Sequence, residues 1–134
     1  MEFSNHDIMT LQCIRNMGSD TKEVTLGNII SYWDYMDHAI PTYEEVVPSL
    51  AKLVSIGIII QGEEMSWKCA STLILGIEKL FNGRKSIKGT EEFKWMHSYL
   101  TEKYSHLPPT TLNLANLPDP QAFEVAVKKY IENF

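Results

Sequence analysis

The segment Asp34-Tyr35-Met36-Asp37-His38 sets two carboxylates and an imidazole within five residues. On a helix, Asp34 and His38 are four residues apart, share a face and could hold a metal ion together. No third ligand of matching kind can be identified, and acids late in an exposed helix need no metal, so neither a metal nor any other cofactor is expected. His6, His97 and His106 are scattered with no nucleophile motif beside them, and the sequence has no GxSxG, Walker-type or GxGxxG pattern. A catalytic set is not expected, and the chain does not read as an enzyme. The remaining chemistry is ionic. Gly83-Arg84-Lys85-Ser86-Ile87-Lys88-Gly89 gathers three cations between glycines, with Lys79 and Lys94 nearby. Arg84, Lys85 and Lys88 are candidate anion contacts, although ordinary solvated loops have the same composition.

These residues must be positioned by helices. Ile8, Leu11 and Ile14 mark one from about Asn5 to Met17, with Gly18 as its stop. Glu23-Val24-Thr25 could form a very short strand. Thr25 can cap a second helix on which Leu26, Ile29, Ile30, Trp33 and Met36 recur, ending near His38 because Pro41 disfavours helix before it. Thr42 and Glu45 have capping-box spacing, and Val46, Val47, Leu50, Leu53 and Val54 follow as a buried face. Pro48 either kinks this third helix or opens it after a separate turn. Gly57 ends it. Ile58 to Ile60, a QGEE turn and the strand MSWKC then form a hairpin, with Met65, Trp67 and Cys69 on one face.

Three further helices are expected: STLILGIEKLFNG, with Gly76 an odd interior residue; EEFKWMHSYLTEKY, capped by Thr90; and a last one opening on Asp119 and Pro120. An irregular connector, HLPPTTLNLANLP, separates the last two. Trp33, Tyr35, Trp67 and Trp95 suit a core or an interface.

At 134 residues, 44% hydrophobic and 22% charged, the chain has the size and composition of one globular domain. IGIII and LILGI are far too short to span a membrane. The start lacks the basic and apolar regions of a secretory signal, and Cys13 and Cys69 form no CxxC pair. Together these point to the cytoplasm and reduced thiols. The formal net charge is −5. Residues 1–70 carry four Lys/Arg against ten Asp/Glu, while residues 71–134 carry eight against seven. A polyanion partner would therefore need a local basic patch.

The order helix, short strand, helix, helix, hairpin resembles the winged-helix (winged helix-turn-helix) superfamily over about residues 6–70. PTYEEVVPSLAKLVSIGIII in particular is similar to that family's third helix and first wing strand. The resemblance implies a mainly α fold with a small β-hairpin, the winged core in residues 1–70 and a helical extension in 71–134 within one compact domain. It also implies a third helix lying in the DNA major groove, with Tyr43, Glu44, Ser49, Lys52 and Ser55 facing outward and the wing touching backbone. Glu44 and Glu45 at that helix start, and Glu63 and Glu64 at the wing tip, carry the wrong charge for phosphate. By analogy with regulators that dimerise through added helices, Phe123, Val127, Tyr130 and Phe134 are candidate dimer contacts. Two functions follow: a protein-interaction or regulatory module with an acidic face, meeting a protein partner or itself, or a dimeric DNA-binding regulator. Local acidity favours the first.

Overall fold

The computed structural model describes residues 1–19, 21–84, 87–109 and 111–134. Six helices and a small antiparallel sheet follow one another as α1 (Asn5–Met17), β1 (Val24–Thr25), α2 (Leu26–Asp37), α3 (Tyr43–Ser55), β2 (Ile59–Gln61), β3 (Ser66–Cys69), α4 (Ser71–Phe81), α5 (Gly89–Tyr104) and α6 (Pro120–Glu132). The first three helices each begin with a reciprocal capping box: Ser4 with Asp7, Thr25 with Asn28, and Thr42 with Glu45. Each box satisfies two amides that the helix itself leaves without partners.

Gly18 ends α1 with extended backbone (φ −109°), not the left-handed turn common at helix ends. Its lack of a side chain matters for another reason. A Cβ there would sit 2.8 Å from the Ile14 carbonyl and 2.9 Å from a Val24 methyl, so glycine lets the chain turn tightly from α1 into β1. At the end of α2, His38 takes the left-handed conformation (φ 56°).

Pro48 neither breaks α3 nor starts it, since the helix runs through it. The proline cannot donate to the Glu44 carbonyl four residues back, a loss that the packed face of Val46, Val47, Leu50 and Leu53 offsets. β3 pairs with β2 through Ile59–Cys69 and Gln61–Trp67, and with β1 through Val24–Trp67, giving the order β1-β3-β2. Met65 does not join the inner face of the hairpin. It lies in the turn at φ 58°, after Glu64 at φ 55°, and is 40% exposed. Gly62 makes room for the Glu23 carboxylate, which accepts a hydrogen bond from the Ser66 hydroxyl across the hairpin base.

One core joins the elements, with Ile8, Leu11, Ile29, Trp33, Leu50, Leu53 and Trp67 at its centre. The C-terminal helices add to it: α5 packs on α1, and α6 on α2 and α3. The Tyr99 ring lies across Gly76 of α4, where a Cβ would meet its hydroxyl at 2.2 Å, and Phe81 packs in a tilted arrangement on Trp95, with ring centroids 5.2 Å apart. Thr90 does not cap α5. The helix starts two residues earlier, with Lys88 in the cap position, and its first turn is pinned where the Gln12 side chain donates to the Gly89 carbonyl at 2.9 Å.

Candidate functional site on the third helix

α3 was the element expected to present Tyr43, Ser49, Lys52 and Ser55 outward. Two of the four turn inward. Ser49 is 3% exposed, and its hydroxyl donates to Asp7 Oδ1 at 2.7 Å. The Lys52 ammonium reaches the other carboxylate oxygen at 2.7 Å and the Glu2 carbonyl at 3.0 Å. Asp7 is itself buried and accepts the Ser4 amide as well, so one carboxylate caps α1 and ties it to α3. A polar residue on a helix is read as solvent-facing unless a partner waits inside, and here Asp7 is that partner. Tyr43 is half-buried and meets Phe123 edge-on, with ring centroids 6.2 Å apart. Ser55 is exposed, though its hydroxyl donates to the Lys52 carbonyl at 2.7 Å. Of the thirteen residues of α3, only Glu44 and Ser55 are exposed.

Of the three candidate anion contacts in the basic loop, Arg84 and Lys88 lie among the described residues. The Arg84 guanidinium forms a forked contact with Glu91, at 2.6 Å and 3.3 Å, and lies over the Trp95 ring. Lys88 is exposed at the start of α5. Lys85 lies outside the described residues. Opposed charge on Arg84 weakens the loop as an anion site.

The residues expected at a dimer interface divide between the interior and the surface. Phe123 is 4% exposed inside the monomer against Tyr43, so it is core and not a free contact. Val127 is partly buried against the same core. The Tyr130 hydroxyl donates to Asp34 Oδ2 at 2.7 Å, and that bond raises the phenol above its ordinary range. Phe134 remains 90% exposed. Asp34 is thus engaged by Tyr130, and among the described residues no three His, Cys, Asp or Glu side chains gather where a metal could sit.

A second buried carboxylate escaped the sequence reading. Glu92 of α5, 4% exposed, accepts from Gln12 at 3.1 Å, from Asn16 at 2.8 Å and from Arg15. Arg15 also lies over the Phe81 ring at 4.8 Å. Glu92 thus does for α5 what Asp7 does for α3, fastening it to α1. A signal existed in part: Ser4 and Asp7 have capping-box spacing, which would have oriented Asp7 at least locally. Cys13 and Cys69 are buried, reduced thiols, and loss of solvation raises both, Cys69 to about 12.

Along α3 the solvent thus meets Glu44 and Ser55, while Tyr43 is partly covered by Phe123. Comparison of the chain with protein-family models, with curated proteins and with solved structures finds no match.

Proposed function

We propose that the chain is a winged-helix scaffold used as a non-catalytic protein-interaction module. The observation that carries this reading is the state of α3. Its polar residues Ser49 and Lys52 are held inward by Asp7, and its exposed positions are Glu44 and Ser55. A helix that reads DNA needs Arg, Asn or Gln forks on its groove face and cations toward phosphate. α3 instead offers a carboxylate at its start, and the hairpin tip adds exposed Glu63 and Glu64. Such a surface suits a basic protein partner.

The element order and the β1-β3-β2 sheet support a second reading, a DNA-binding regulator on the same scaffold. Fluorescence anisotropy with mixed-sequence duplex DNA, titrated at low and moderate salt, separates the two. The interaction module predicts no binding even at low salt. Affinity that falls steeply as salt rises would instead establish phosphate contacts and overturn it. A candidate operator would need the same titration.

A further inference from the structure

The hairpin tip holds an unfavourable backbone. Glu64 and Met65 are consecutive residues other than glycine at φ 55° and 58°, and both are exposed. They form one wall of a cleft of about 530 Å³, flanked by the start of α2 and the last turns of α6. That volume lies within the range of small-molecule sites, about 300–1,000 Å³. α2 lines the cleft with Gly27, and α6 with Ala126, Lys129 and Tyr130. Gly27 lies within the helix, and a Cβ there would meet nothing nearer than the Thr25 hydroxyl at 3.8 Å. Neither its conformation nor its neighbours among the described residues call for glycine, a poor helix former. Its bare backbone instead leaves room for close approach from the cleft. Lys129 and Glu64 bring opposite charges there, and neither joins an ion pair among the described residues. The Tyr130 hydroxyl is held by Asp34, so its ring is what remains for a bound molecule.

We propose that this cleft binds a free aromatic amino acid. The ligand carboxylate meets the Lys129 ammonium, and the ligand ammonium meets the Glu64 carboxylate. The ligand ring lies against Met65, Ala126 and Tyr130, over the open backbone of Gly27. Charges of both signs select a zwitterion over a simple anion or cation. A thioether and an aromatic ring both favour aromatic contact, which selects the body of the molecule. Bound in this way, it bridges the hairpin tip and α6. Neither Glu44 nor Ser55 of α3 lines the cleft, so the proposal goes beyond the protein-interaction reading and fails or stands apart from it.

The probe is L-phenylalanine, titrated into the isotope-labelled full chain while its amide resonances are followed. Saturable shifts at Gly27, Glu64, Met65 and Lys129 are expected, with a millimolar or tighter Kd. Phenethylamine lacks the carboxylate and hydrocinnamate lacks the ammonium, and each should bind at least about tenfold more weakly. Gly27→Ala should melt no lower than the wild type, because alanine is the better helix former and its methyl has room. Its affinity for L-phenylalanine should nonetheless fall at least about tenfold, since that methyl stands in the ligand's way. Lys129→Gln, at an exposed position, should weaken binding as much and carries the test if Gly27→Ala does not fold. Absent or non-saturating shifts at tens of millimolar overturn the proposal. Equal binding of the three compounds, or unchanged affinity in a folded variant, also overturns it.

Discussion

The Asp7 carboxylate of α1 and the Lys52 ammonium of α3 meet at 2.7 Å, with Asp7 almost wholly buried and Lys52 partly so. Ser49 bonds the other oxygen, which leaves the pair well solvated by protein groups. Removing one partner of a buried pair leaves the other charge unmatched. Asp7→Ala is expected to destabilise the fold by about 2–4 kcal/mol, and Ser49→Ala by about 1 kcal/mol. Denaturant unfolding measures both. A double-mutant cycle of Asp7→Ala with Lys52→Ala should give a coupling energy above about 0.5 kcal/mol, and strict additivity would mean that the pair does not hold the two helices together.

Glu92 gives a parallel case between α1 and α5. Three donors converge on it, so Glu92→Ala takes the carboxylate from Arg15 and one bond each from Gln12 and Asn16. The expected cost is about 3 kcal/mol. Glu92→Gln keeps the shape but supplies an amide where donors already crowd, and should recover less than half of that loss. Chemical denaturation of the three proteins decides it, and a loss below about 0.5 kcal/mol for the alanine variant would remove the cluster from the account of stability.

What the sequence made legible, and what it hid, follows from the range of the interactions. The span Asn5–Met17, the caps at Thr25, Thr42 and Asp119, and the buried valines and leucines of α3 depend on neighbours within a few residues, and periodicity reveals them. The inward turn of Ser49 and Lys52 depends on Asp7, more than forty residues away, and no local pattern encodes that pairing. The same holds for Phe123, whose apolar character marks it for burial without saying whether its own chain or a second one covers it. Met65 was missed for another reason. Its alternation with Trp67 suggested a strand, but the turn takes it in a left-handed conformation that apolar residues rarely adopt. The candidate site was thus readable as a helix and misread as a face.

Glycine positions give opposed expectations. Gly18 has a backbone that any residue can adopt, yet a Cβ would press on the Ile14 and Lys22 carbonyls and the Val24 methyl. Backbone atoms there cannot move aside cheaply, so Gly18→Ala should cost about 2–3 kcal/mol. Gly57 is at φ +77° with open space around its Cβ position. There the cost is conformational only, about 1 kcal/mol for Gly57→Ala. Thermal melts of the two variants should rank them in this order, and the reverse order would contradict the close approach of α1 to β1.

The buried thiols make stability depend on alkaline pH. Burial raises Cys13 and Cys69, the latter to about 12, whereas a thiol in the unfolded chain titrates near about 8.5. Above that unfolded value the unfolded chain loses protons that the folded chain retains, so the folded state binds more protons and its stability falls as pH rises. The contribution is fully present below about pH 8 and declines through pH 9 to 11, by up to about 1.4 kcal/mol per pH unit for each thiol. Unfolding free energies measured between pH 7 and 10.5 should show this slope. The variant Cys13→Ala with Cys69→Ala should flatten it, leaving the part due to the raised tyrosines Tyr32, Tyr104 and Tyr130. The thiols of the native protein should also react with iodoacetamide far more slowly than those of the urea-unfolded chain, because burial keeps them protonated and out of reach. Equal rates in the two states would show that the contact of α1 with β3 opens readily.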